Sequence, residues 1–144
     1  MNTNTETEFE IINDPKQIYE SKDLLFKEEV YNIISCCFEV HNNLGEGFLE
    51  AVYKDALMHE FNSKGINFIR EKKFEVNYKD IVLPHYYYAD FFVQDKIILE
   101  VKSQKGVIDE HYKQVINYLA VSKCKLGLLV NFGEDKLLFK RVIL

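Results

Sequence analysis

The chain has 144 residues, 47% of them hydrophobic and 14% aromatic, and a formal net charge of −5. Such a composition is globular and large enough for one domain with its own core, which excludes a disordered or fibrous chain. The acidic balance argues against a general nucleic-acid coat, and no apolar run approaches the ~20 residues that span a bilayer.

The charge is uneven. Residues 1–50 carry eleven acids and three bases, and residues 51–144 carry twelve acids and fifteen bases. The C-terminal part could therefore present a phosphate-binding face. Three cysteines, Cys36, Cys37 and Cys124, have neither disulfide arithmetic nor metal-type spacing. Reduced thiols in a cytoplasmic protein are the simplest reading. The polar, acidic N-terminus is unlike a signal peptide.

Residues 1–21, rich in Asn, Thr and Glu and holding Asp14-Pro15, read as a flexible polar leader. Residues 22–144 read as one domain. A helix is predicted over Asp23–Leu44, where Leu25, Val30, Ile33, Ile34, Cys37, Phe38 and His41 recur at three- and four-residue steps. Ser21 or Asp23 suits its cap, and Gly45-Glu46-Gly47 ends it. A second helix spans Phe48–Ser63, with Leu49, Val52, Ala56, Leu57 and Phe61 near one face and Glu50, Tyr53 and Leu57 forming another row.

Strands follow. Ile66–Arg70 alternates weakly and Lys73–Tyr78 clearly; Ile81–Leu83 is limited by Pro84; His85–Val93 and Lys96–Val101 flank the polar turn Gln94-Asp95-Lys96. A helix over Asp109–Ser122 has Val115, Ile116, Leu119 and Ala120 as its core face, with Asp109 as cap. The nearly all-apolar Leu126–Val130 suits a strand buried on both faces. Gly133-Glu134-Asp135 turns into a last strand, Lys136–Ile143. A helix between a hairpin and a buried strand suggests a crossover onto a mixed sheet.

The chemistry concentrates on the hairpin. Asp90 stands in its first strand, and Glu100 and Lys102 end the second on one face, because strand side chains alternate. Two carboxylates and a lysine brought together would make a site for a hard divalent metal with a second cation beside it. By spacing alone, a solvated strand end with a surface Glu/Lys pair is the simpler account. His111, Gln114 and Tyr118 share one side of the following helix, which could equally be a polar flank with a half-buried Tyr. Glu50 and Tyr53 follow a glycine loop, which could equally be capping with a solvated Glu. His41, His59 and His85 lack metal spacing and read as structural or surface residues. Phosphate-binding glycine loops and Ser or Cys nucleophile arrangements are missing, and Cys36 and Cys37 read as core.

Taken together these pieces resemble the PD-(D/E)XK nuclease superfamily and, within it, the small bacterial GxxExxY family. Gly47-Phe48-Leu49-Glu50-Ala51-Val52-Tyr53 matches the name motif. Ala89-Asp90 with Glu100-Val101-Lys102 matches the superfamily's acid and Glu-x-Lys. Gln114 through Tyr118 matches the Gln-xxx-Tyr helix of the RecB-like branch, and Leu126–Gly133 and Lys140–Ile143 look like the family's C-terminus. The likeness covers about Phe26 to Leu144. There are departures: Ala89 replaces the namesake proline, and Tyr88 stands where related sequences often have a basic residue.

The resemblance implies an α/β (α+β) restriction-endonuclease-like core with a mixed central sheet in αβββαβ order. It implies metal-dependent hydrolysis of phosphodiesters, most naturally in DNA. Asp90, Glu100 and the Val101 carbonyl would hold Mg²⁺ or Mn²⁺, with Glu50 completing the acidic cluster directly or through water. Lys102 would orient and help deprotonate the attacking water. Gln114 and Tyr118 would position the lysine, the ligands or a phosphate. A homodimer would gather further phosphate contacts. Two other readings compete: a catalytically silent nuclease-fold module that binds nucleic acid or a protein, and a hydrolase of some other phosphate ester.

Overall fold

The computed structural model describes residues 10–12, 14–15, 25–106 and 109–144. Its elements run β1 (Glu10–Ile12), α1 (Lys27–Leu44), α2 (Glu50–Ser63), β2 (Phe68–Tyr78), β3 (Ile81–Val93), β4 (Ile97–Lys102), α3 (Asp109–Ser122), β5 (Leu126–Asn131) and β6 (Leu137–Ile143). After β1, the order is α1 and α2, three strands, α3, and two strands, close to the expected αβββαβ core. One six-stranded sheet has the order β1-β6-β5-β4-β3-β2. β4 and β5 pair in parallel and every other neighbouring pair is antiparallel. The sheet is therefore mixed, with α3 as the crossover that a parallel pair requires.

Hydrophobic periodicity sets the layers. Val30, Ile33, Ile34, Cys37 and Val40 of α1 and Tyr53, Leu57 and Phe61 of α2 pack with Phe91, Val93, Ile97, Leu99 and Val101 of the sheet. The other face is covered by Val115 and Leu119 of α3 against Ala89, Ile98, Leu129 and Val142. β5 is buried at all six positions, as its unbroken apolar run predicts. Cys36 and Cys37 are fully buried core residues. His41 is buried too, with Nε2 bonded to the Glu134 carbonyl at 2.8 Å, a structural role.

Several boundaries differ from the sequence expectation. Part of the stretch read as leader, Glu10–Ile12, pairs antiparallel with β6 at the sheet edge. The rest of that stretch, and the expected start of the first helix at Asp23 with its cap, lie outside the described residues, apart from residues 14–15. The strands expected at Ile66–Arg70 and Lys73–Tyr78 are one continuous β2, and Ile81–Leu83 and His85–Val93 are one β3. Pro84 is tolerated because it lies in a register irregularity: Glu75 pairs with Tyr86 and Asn77 with Val82, so the residues around Pro84 bow out of the ladder. The predicted hairpin turn is tight, with Gln94 and Asp95 at φ 57° and 54° and Lys96 N–H bonded to Val93 O at 3.1 Å.

The β2–β3 pair also changes sides. Phe68 and Phe91 pack in the core under α1 and α2, whereas Phe74 and Ala89 pack under α3. Phe68 and Phe74 are six apart, as Phe91 and Ala89 are two apart, so strict alternation would keep each couple on one face. The pairs Arg70 with Phe91 and Lys72 with Ala89 bracket the reversal, and between them Glu71 has a left-handed backbone, φ 54°. Asp90 stands across from that irregularity.

Candidate active site

The two acids of the hairpin lie where β3 and β4 part. Their ladder runs from Val93/Ile97 to Phe91/Leu99, and one further step sets Asp90 opposite Glu100. There the side chains take over from the backbone. Asp90 N–H donates to Glu100 Oε1 at 3.1 Å, and Val101 N–H donates to Asp90 Oδ2 at 2.8 Å. Each carboxylate is thus held by a main-chain donor of the opposing strand.

The electrostatics follow from this geometry. Glu100 is only 3% exposed. Burial, and then the neighbouring charge of Asp90, pushes its carboxyl up to about 9. Two carboxylates this close in a dry setting call for a cation. Lys102, two residues on from Glu100, lies with Nζ 4.0 Å from Glu50 Oε1 at the N-terminus of α2. Lys54, one turn further along α2, places Nζ 3.3 Å from Asp90 Oδ1 and 2.8 Å from Glu71 Oε1. Burial alone would lower the Lys54 ammonium, but its bonds to Glu71 and Asp90 prevail and raise it.

Glu50 is placed by Tyr53. The Tyr53 hydroxyl donates to Gly45 O at 2.6 Å and accepts Phe48 N–H at 3.3 Å, and its ring stacks on Phe132 at 4.6 Å. Gly47, at φ 102°, permits the turn that this hydroxyl clamps. Tyr53 is fully buried, so its part is to fix the loop that starts α2. Ser103, just beyond Lys102, closes the other side by donating to Phe48 O at 2.6 Å.

The third wall is α3. The Tyr118 ring stacks on Tyr87 at 4.1 Å, nearly parallel, and the Tyr87 hydroxyl donates to Tyr118 O at 2.7 Å. Burial and then the charges of Glu100 and Asp90 push the Tyr118 phenol up to about 12. His111 Nε2 donates to Gln104 Oε1, 3.0 Å away; burial and the Lys102 charge lower its pKa. Gln114 is exposed on an open groove with Glu110, His111, Lys113 and Asn117.

The structure therefore brings Asp90, Glu100 and Val101 together, sets Glu50 against Lys102, and stacks Tyr118 on Tyr87. Gln114 stands apart on the outer groove. Among the described residues no three His, Cys, Asp or Glu side chains gather into a ready metal cluster. Glu50 does not complete the pair directly; Lys102 holds it instead. The donor set still suits a hard ion, since Mg²⁺ is commonly held by one or two carboxylates with waters and substrate oxygens for the rest.

Two residues escaped the sequence reading. Lys54 supplies a cation beside Asp90, where Tyr88 left none; the only local hint was its position four after Glu50 on one helix face. Asn131 is 2% exposed and uses its whole amide. Oδ1 accepts Gln104 N–H at 3.1 Å and Gly133 N–H at 2.9 Å, while Nδ2 donates to Gln104 O at 2.9 Å and Gly106 O at 3.2 Å. It thereby fixes the segment that leaves Lys102. A polar residue ending an all-apolar strand was its one signal.

A mixed sheet flanked by helices, with an acid and a Glu-x-Lys at the point where two strands part, is the architecture of a restriction-endonuclease-like nuclease core. Residues 27–142 match the family model described as the PD-(D/E)XK nuclease superfamily, and the chain belongs to that superfamily. Among solved structures it is similar to the crystal structure of SSO0001, with a TM-score of 0.52 and 18% identity over 90% of this chain. That likeness is one of fold, and the match spans 61% of the SSO0001 chain. No curated protein matches. Among the described residues no helix is long and apolar enough to cross a membrane.

Proposed function

We propose that the chain is a divalent-metal-dependent nuclease that hydrolyses phosphodiester bonds in DNA. The observation that carries this reading is the reciprocal bonding of Asp90 and Glu100 to each other's strands, with Lys102 two residues beyond. Buried acids so placed are costly unless a cation balances them. The finer placement in the GxxExxY family of the RecB-like branch rests on Gly47, Glu50 and Tyr53 and on Gln114 and Tyr118. Free thiols at Cys36, Cys37 and Cys124 support the cytoplasm as its place.

In this reading Asp90, Glu100 and the Val101 carbonyl would hold Mg²⁺ or Mn²⁺, with Glu50 adding to the acidic cluster. Such an ion, when bound, polarises a phosphoryl oxygen and makes a bound water more acidic. Lys102 would orient the attacking water, take up its proton or shield the charge that develops on the phosphate, and Glu50 holds Lys102 in place. Gln114 and Tyr118 would position the lysine, the ligands or a phosphate, and Gln114 and His111 line the groove along which a strand would run.

A second reading is a silent module that binds nucleic acid or a protein without cutting. It is favoured by one observation: Lys54 already sits on an oxygen of Asp90. Cleavage assays on single- and double-stranded DNA and RNA with Mg²⁺ or Mn²⁺ separate the two. Wild type should cut, and Lys102→Ala and Asp90→Ala should not. A wild type that binds but cuts neither nucleic acid selects the silent module, and variants that cut as well as wild type sink the catalytic roles.

A further inference from the structure

We propose that Lys54 is a displaceable counter-ion: its ammonium holds Asp90 while the acidic pair lacks a divalent cation, and it moves wholly onto Glu71 when one binds. The proposal rests on the metal-site reading above and adds what the site does before the metal arrives.

The geometry is that of one cation shared by two anions of unequal commitment. Lys54 Nζ is 2.8 Å from Glu71 Oε1 and 3.3 Å from Asp90 Oδ1. The Lys54 and Asp90 side chains are each only 16% exposed, so the ammonium is turned inward at the acid. Asp90 Oδ2 is already committed to Val101 N–H. Lys54 thus occupies Oδ1, the oxygen of the pair that no main-chain donor holds. A hard divalent ion sits ~2.0–2.6 Å from a carboxylate oxygen, within the space of an ammonium bonded to that same atom. Like charges that close in a partly dry site disfavour joint occupancy.

Leaving Asp90 does not strand the lysine. Glu71 holds the shorter of its two bonds and is 48% exposed, so Lys54 keeps a partner near water. A lysine stem is flexible enough for a movement of this kind. Of the two cations that flank Glu71 on β2, Arg70 is taken by Asp55 at 2.5 Å and Lys72 lies over the Phe74 ring, 5.8 Å from its centroid. Glu71 itself stands on a left-handed backbone at the side-reversal of β2, which presents it to Lys54 across the sheet edge.

The test is calorimetric titration of the full-length protein with Mn²⁺ at near-neutral pH. Lys54→Met keeps the stem and removes the charge, and should bind Mn²⁺ about tenfold more tightly than wild type. Lys54→Arg keeps a charge and should stay as weak as wild type. Glu71→Gln leaves Lys54 with Asp90 alone and should weaken binding, the opposite sign. Should Lys54→Met fail to fold, Glu71→Gln and Lys54→Arg carry the test unaided. Binding to wild type with unchanged or weaker affinity in Lys54→Met, or unchanged affinity in Glu71→Gln, overturns the counter-ion role and leaves the metal site standing. Absence of binding in all four proteins overturns both.

Discussion

Asp90 and Glu100 fix one another across the opening of a hairpin: Asp90 N–H binds Glu100 Oε1, while Asp90 Oδ2 takes the N–H of the residue after Glu100. Neither carboxylate can rotate away without breaking a main-chain bond. The arrangement is pre-organised, so charge at this point costs little reordering when a reaction needs it.

Asp90→Asn tests whether charge or shape matters there. An amide keeps an oxygen for Val101 N–H, so the variant should fold with a melting temperature near that of wild type. Its Mn²⁺ affinity and its cleavage rate should both fall, the rate by roughly a hundredfold or more, the scale of removing one pre-organised electrostatic group. Calorimetry and a plasmid-nicking assay on the same preparation check both halves.

The pH dependence of stability should carry the mark of Glu100. Burial and Asp90 raise its carboxyl from an ordinary 4.5 to about 9 in the folded state. Between those values the folded chain keeps a proton that the unfolded chain has released. Its contribution is whole below about 4.5 and is lost as pH rises toward about 9. Glu100→Gln, neutral throughout, should flatten that part of the curve and make the metal-free protein more stable at pH values above neutrality. A divalent ion selects the ionised form, so Mn²⁺ binding near neutral pH should release a proton and tighten with pH. Calorimetry in buffers of different ionisation enthalpy measures the release; none would mean that Glu100 is already ionised.

Much of this architecture was legible because it is local. The turn Gln94-Asp95-Lys96, the apolar run of β5 and the core face Val115/Leu119 each declare themselves within a few residues. The acid and Glu-x-Lys could be named as a candidate, but their meaning depended on two strands parting where they do, which periodicity does not reveal. The side-reversal at Glu71 was hidden for the same reason, since alternation assumes that a strand keeps its face. Lys54 meets Asp90 thirty-six residues away, and Asn131 meets Gln104 twenty-seven away. Contacts of that kind arise from packing α2 on β3 and β5 beside β4 and leave almost no trace in spacing.

Tyr53→Phe should separate support of the site from chemistry in it. The ring and its stacking on Phe132 remain, but Gly45 O loses a donor and Phe48 N–H an acceptor. The cost should be about 1–3 kcal/mol, read by urea unfolding. Because the clamp positions Glu50 and, through it, Lys102, kcat should fall more than Mn²⁺ affinity, whose nearest acids, Asp90 and Glu100, are untouched. Equal losses in metal binding would place Tyr53 closer to the acids than the structure does.

Asn131→Asp is the sharpest change available outside the acidic pair. The side chain keeps its size and its acceptor for Gln104 N–H and Gly133 N–H. Its other arm turns from a donor into a carboxylate oxygen facing the carbonyls of Gln104 and Gly106. Acceptors then confront acceptors, and a charge is added at a position only 2% exposed. Replacement cannot be relieved by a shift of the segment, because Gly133 packs so tightly on the Gln104 backbone that a single added Cβ would collide with it. The variant should lose about 2–4 kcal/mol at neutral pH, on the scale of a buried polar group left without partners. Part of that loss should return in mild acid, where the new carboxyl can protonate and donate again. Asn131→Ala should be destabilised without that recovery, so unfolding both variants at two pH values tells a reversed donor from a mere cavity.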